Sequence, residues 1–281
     1  MAQTRRSFLT TVGSAALGLA AGCRVGRAQP SSRALTRVGL QLYTVRSEMG
    51  RDLPGTLARV AAIGYKEVEF AGYFNRSATE IRNLVRQNNL TSPSTHVALN
   101  VIESNPQKTF DDAKTIGQRW VTVPSLPGRL SSVDDCKAMA QRFNRAAAMA
   151  KAAGLRFAFH NHNAEFRKIG DVAPFDVLLQ ETDPALVDFQ MDLYWAVNAG
   201  ADPLAYFARF PGRFKMVHVK DSAGPPNHAQ TDVGAGTIEF QKIFAQSEKA
   251  GIEHYLVEHD QPSNPMEFIA ASYQYLAELR Y

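Results

Sequence analysis

The sequence predicts an α/β protein, a (β/α)8 TIM barrel, on three observations. Short runs rich in β-branched and aromatic residues alternate eight times with helical patterns from Val38 to the C-terminus, as a parallel sheet covered by helices requires. In the second half of the chain these runs end on Phe159-His160-Asn161-His162, Gln190-Met191-Asp192, Val217-His218-Val219-Lys220 and Val257-Glu258-His259. His160, Asp192, His218 and Glu258 are thus spaced by roughly the thirty-odd residues of one βα unit. Strand ends are where a barrel gathers its chemistry. No G-x-G-x-x-G or P-loop follows the first strand, which speaks against an open nucleotide-binding sheet.

Taken in order, Val38–Tyr43 reads as the first strand, and Leu53–Ile63 as a helix stopped by Gly64. Tyr65–Phe70 is the second strand, with a helix near Thr79–Asn88. Leu90–Leu99 contains the third, interrupted by Pro93, and a helix follows over Thr109–Ile116. Trp120–Pro124 is the fourth, and the alanine-rich, apolar-periodic stretch Val133–Ala153 runs up to Gly154. Leu155–His160, Leu186–Met191, Phe214–Val219 and His254–Val257 are strands five to eight. Their helices lie near Pro174–Leu179, Pro203–Phe210, Ile238–Ala250 and Pro265–Leu279. Apolar runs this short, bounded by Gly, Pro or charge, suit strands covered on both faces.

Residues 1–33 read differently. Arg5-Arg6-Ser7-Phe8-Leu9 precedes the short apolar stretch Val12–Ala21, too short to span a bilayer and resembling a twin-arginine export signal. Ala20-Ala21-Gly22-Cys23 resembles a degenerate lipobox that would lipidate Cys23. Gly26-Arg27-Ala28 offers plain cleavage instead. The expected location is therefore exported, periplasmic, with the membrane involved only through the signal or Cys23. Residues 34–281 form one expected domain.

Residues 1–33 carry five arginines and no acid, so in residues 34–281 the remaining 26 bases face 27 acids. A near-neutral body does not ask for nucleic acid. Cys136 is the one cysteine left in it, so no disulfide framework exists there.

Two imidazoles and two carboxylates suit Mn²⁺, Co²⁺, Zn²⁺ or Fe²⁺ better than an all-oxygen Mg²⁺ or Ca²⁺ cage. A lone strand-end histidine is ordinarily a hydrogen-bonded scaffold residue. Here two acids and two histidines predicted at one rim would be costly to bury without something to bind. His162 fits a partner of a metal ligand or a substrate contact. Glu69 and His96, ending strands two and three, fit substrate hydroxyls or simple surface polarity. Lys220 could orient a substrate oxygen or pair with Asp221 or Glu258, and Trp195 could stack on a sugar or pack in the core. Gly234-Ala235-Gly236 reads as a loop-shaping turn rather than a phosphate cradle.

Gly39-Leu40-Gln41-Leu42-Tyr43-Thr44-Val45-Arg46, Glu67-Val68-Glu69-Phe70, His160-Asn161-His162 with Glu165-Phe166, Met191-Asp192, His218-Val219-Lys220-Asp221 and Val257-Glu258 together resemble the sugar phosphate isomerase/epimerase family of xylose-isomerase-like TIM barrels. The resemblance covers about 37 to 281. It implies one divalent metal held on strands five to eight, usually by Glu, Asp, His and Glu. Asp192, His218 and Glu258 match, while His160 stands where many members have the first glutamate.

The resemblance further implies proton abstraction α to a carbonyl by metal-bound glutamates on opposite faces of the substrate. Glu258 could be one base. With His160 in place of the other, His162 or Glu165 would substitute, or a single base would serve an elimination. Related exported barrels are similar in this respect and act as lyases on 3-keto-glycosides. The expectation is a metal-dependent isomerase or epimerase of an unphosphorylated sugar or keto-sugar, with 3-keto-glycoside lyase and inactive sugar-binding protein as alternatives. A nuclease would need a basic face and further ligands.

Overall fold

A computed structural model describes residues 33–281; the export-signal reading of residues 1–33 falls outside them but for Arg33. The barrel strands are β1 (Gly39–Gln41), β2 (Glu67–Glu69), β3 (Ser94–His96), β4 (Trp120–Val123), β5 (Arg156–His160), β6 (Val187–Asp192), β7 (Phe214–Val219) and β8 (His254–Val257). All run parallel in the order β2-β1-β8-β7-β6-β5-β4-β3. The parallel bridges Glu67–Thr91 and Phe70–Thr95 join the two ends of that order. The expected (β/α)8 barrel is therefore present.

Strand alternation decides what the barrel contains. Leu40, Val121, Phe157, Phe159, Phe189, Val217 and Val219 belong to one continuous buried core with the helices, where Phe143 meets Phe157 and Phe159 at ring distances of 5.5 and 4.9 Å. The opposite parity carries polar groups into the interior. At the N-terminal end Asp188 takes the Trp120 indole N–H at 2.7 Å and both arms of Arg156 at 2.5 and 2.7 Å. Beside it His254 and Glu67 pair at 2.7 Å. One layer higher, the same parity brings in Glu69, His96, His160, Gln190 and His218. Buried polar groups in this number persist only when paired.

Some elements differ from the sequence reading, each for a local reason. The first strand is short because Gln41 turns the chain: its side chain accepts the Tyr43 N–H at 3.1 Å and opens a 3₁₀ turn over Leu42–Val45. The long helix near Ile238–Ala250 is instead two, Phe240–Phe244 and Ser247–Ala250. The Ser247 hydroxyl donates to the Phe244 carbonyl at 2.6 Å and accepts from Tyr255 at 2.6 Å, a side-chain competitor of the kind that interrupts helices. A further helix, Leu193–Asn198, begins directly at Asp192, whose Oδ1 caps it through the Trp195 N–H at 2.9 Å.

After β7 the chain forms a small antiparallel ribbon, Asp221–Ser222 with Gln230–Thr231. The Asp221 carboxylate, almost fully buried, accepts the N–H groups of Ser222, Gly234, Gly236 and Ile238 at 2.8–3.1 Å. The Gly234-Ala235-Gly236 turn is thus a loop-shaping element, filled by Asp221. A Cβ on Gly236 would lie 2.3 Å from Asp221 Oδ1. Asp221→Ala leaves these donors unmet and is expected to destabilise the protein by about 3 kcal/mol, read as a lowered urea midpoint at unchanged m-value.

Candidate metal centre and active-site cavity

The strand register brings the predicted ligands together. Asp192 lies beside His218 on β6 and β7, His160 beside Gln190 on β5 and β6, and Glu258 follows directly on β8. Donor atoms of Asp192, His218 and Glu258 all lie within 4.8 Å of one another, and those of His96, His160 and His218 form a second such group. His160 Nε2 is 3.8 Å from Asp192 Oδ2. Asn161 fixes this junction: its side chain accepts the Asp192 N–H at 3.1 Å and donates to the Asp192 carbonyl at 3.3 Å.

His218 is the hub. Nδ1 donates to Glu258 Oε2 and Nε2 to Glu69 Oε2, both at 2.7 Å. Burial works to lower its pKa, but the carboxylates of Glu258 and Glu69 overturn that and push it up to about 10. His160 has no carboxylate within hydrogen-bond distance, Asp192 Oδ2 being 3.8 Å away; burial and the neighbouring His218, His162 and His96 rings hold it well below the usual range, so it is neutral. Burial works to raise Glu258, but the Lys220 ammonium and His218 hold it well below the usual carboxylate range. Asp192 shifts upward because burial outweighs Lys220 and His218. Its Oδ2 is buried and faces the Lys220 ammonium at 3.0 Å.

That buried oxygen, the Glu258 carboxylate, the His218 imidazole and the neutral His160 make a mixed N/O donor set that fits a divalent transition ion. Lys220 and protonated His218 supply the positive charge at the cluster in this structure. Lys220 is buried and pairs with Asp192, Glu258 and Asp260 at 3.0, 2.7 and 2.8 Å. It does not pair with Asp221, whose carboxylate serves the backbone.

Above the cluster opens a cavity of about 700 Å³. Its polar floor includes His96, His160, His162, Lys220 and Glu258, while Tyr43, Tyr73, Val97, Val101 and Pro124 form a largely apolar wall. Burial first, then Lys220, lowers His162 to about 4, so its ring is neutral at pH 7. The other sequence candidates are placed differently. Glu69 is fully buried and receives Gln41, Gln190, His218 and His96 at 2.7, 2.8, 2.7 and 3.2 Å. Glu165 accepts the His162 N–H at 2.8 Å and lines a neighbouring pocket rather than this cavity. Trp195 packs at 5.7 Å from both the His162 ring and Lys220 Nζ.

Asp260, Gln41 and Gln190 were missed by the sequence reading. Gln190 takes His96 and His160 on its oxygen at 2.8 and 3.2 Å while giving Glu69 its amide. Strand parity could have found it, since Asp188, Gln190 and Asp192 share one face. Asp260 shares the parity of Glu258 but lies beyond the strand, where alternation no longer holds.

A family model described as Xylose isomerase-like TIM barrel matches residues 57–279. The chain belongs to this family. Among its relatives, the xylose isomerase-like barrel is 28% identical to the inosose dehydratase of Lacticaseibacillus casei over 163 residues, 51% of this chain and 54% of that protein. Its likeness to the inosose dehydratase of Clostridium perfringens is 28% over 182 residues, 57% of this chain and 61% of that protein. The chain thus spans little more than half the length of these curated relatives. A solved sugar phosphate isomerase/epimerase from Parabacteroides distasonis matches with TM-score 0.76 and 28% identity, over 90% of this chain and 96% of that one.

Proposed function

We propose that this barrel is a divalent-metal-dependent enzyme that removes the proton α to the carbonyl of an unphosphorylated sugar ketone and expels the oxygen substituent β to it. The observation that carries the reading is the cluster of Asp192, His218 and Glu258 under a cavity lined by the neutral His162 ring and the Lys220 ammonium. Asp192, His218, Glu258 and His160 would hold the ion, which supplies Lewis-acid polarisation of the carbonyl oxygen and stabilises the negative charge developing there.

His162 takes the α-proton; the C–H electron pair becomes the new C=C bond, and the β C–O pair leaves with its oxygen. Lys220 is placed to give that oxygen a proton. Glu69 acts through His218, accepting its Nε2–H and so fixing the ring with Nδ1 toward Glu258. Glu69→Gln is expected to weaken Mn²⁺ binding by about 10–100-fold, measured by titration of the metal-free protein. Metal loading at pH 7 should also release about one proton per ion, because ligation at Nδ1 displaces the hydrogen that His218 now gives Glu258; calorimetry in buffers of different ionisation enthalpy reads this.

The dehydratase relatives support elimination over isomerisation, as does His160 in the place of a second carboxylate base. Isomerase or epimerase chemistry is the second reading, favoured by the Parabacteroides structure. Proton NMR of metal-loaded protein in D₂O separates them. Aglycone release from a 3-keto-glucoside with an unsaturated keto-sugar, and an unchanged free ketose, is the expected result. Deuterium in the ketose together with an epimer would replace elimination with isomerisation. We further propose export of the chain; periplasmic recovery that is lost on Arg5→Lys/Arg6→Lys substitution is the expected outcome.

A further inference from the structure

Beside the main cavity lies a second pocket of about 590 Å³, sharing Ser125 and His162 with it. It sits between the segments following β4 and β5. Arg129, Arg167 and Lys168 line it. None of the three has an acidic partner among the described residues, and all three are exposed. The one acid in the lining, Glu165, is buried and turned onto the His162 backbone N–H. Leu126, Leu130, Ile169 and Pro174 complete the wall. Arg129 lies 38 residues from Arg167, so no local run of basic residues marks the cluster.

Three cations without partners around a partly apolar pocket form an anion-recognising surface, and its position makes it an extension of the sugar site rather than a separate one. We propose that the pocket is a subsite for a carboxylate borne on the aglycone of a glycoside whose sugar occupies the main cavity. The inference rests on the reading of the main cavity as a sugar site. An apolar or aromatic linker lies against Leu126 and Leu130, and the carboxylate meets the Arg129, Arg167 and Lys168 side chains. The sugar itself then needs no charge, in keeping with an unphosphorylated substrate.

Calorimetric titration of metal-loaded protein with phenyl β-glucoside and 4-carboxyphenyl β-glucoside tests this. Neither probe carries a ketone, so neither is consumed, and failure of the elimination chemistry would show separately as no turnover of 3-keto-glucosides. The carboxylated probe is expected to bind about tenfold tighter at low ionic strength, with the difference shrinking as salt rises. An Arg129→Ala/Arg167→Ala/Lys168→Ala variant should lose the preference while keeping its affinity for the neutral glucoside. Equal affinities, failure of the carboxylated probe to bind at millimolar concentration, or a preference that survives the triple substitution would overturn the proposal.

Discussion

Asp192→Ala is expected to abolish metal binding and to lower kcat/KM by at least about 10³-fold, the scale on which loss of electrostatic stabilisation of a developing oxyanion is felt. The reason is local. One Asp192 oxygen, Oδ2, is buried against the Lys220 ammonium at 3.0 Å and lies in the group with His218 and Glu258, while its other oxygen caps the helix Leu193–Asn198. Removal takes away the proposed ligand and the cap together, and leaves buried Lys220 with Glu258 and Asp260 alone. Asp192→Asn separates the effects. It keeps an oxygen on the Trp195 N–H and so retains most of the stability that the cap contributes, about 1 kcal/mol, yet its neutral amide still binds metal poorly. Metal content by mass spectrometry and thermal melts of both variants read the two effects independently.

His162→Gln is expected to lower kcat by about 10²–10⁴-fold, the range for loss of a positioned general base, with metal content unchanged. His162 lines the cavity, and the Asp192, His218 and Glu258 group does not include it. Its neutrality at pH 7 follows from burial and from Lys220. The glutamine fills similar space and leaves the backbone contact to Glu165 in place, so a fall in kcat at constant metal occupancy assigns the loss to proton transfer. A fall in metal content instead would make His162 a support for the metal cluster.

Much of this arrangement was legible in the strands themselves. His160, Asp192, His218 and Glu258 are polar interruptions at the ends of apolar runs, and parallel strands with matched ends deliver such residues to one rim. The barrel followed from the same alternation. What escaped was set by contacts between distant segments. Glu69 read as a residue for substrate hydroxyls or as surface polarity, but β2 packs beside β1 and its carboxylate is drawn inward by Gln41, Gln190 and His218. Trp195 read as a sugar platform or a packing residue, and the helix begun by Asp192 packs it against the core, 5.7 Å from Lys220 Nζ. Asp192 itself precedes an apolar stretch, an N-cap signal that its candidacy as a ligand obscured. Glu165 is likewise a capping acid for the turn after His162.

The most direct test of the central claim is a titration of metal-depleted protein with Mn²⁺, following bound ion by electron paramagnetic resonance and C2–H loss from a 3-keto-glucoside by NMR in the same samples. Both are expected to rise together and saturate at one ion per chain, and Asp192→Ala is expected to show neither. Full C2–H loss in the metal-depleted protein, or an ion that binds Asp192→Ala as tightly as the parent, would contradict it.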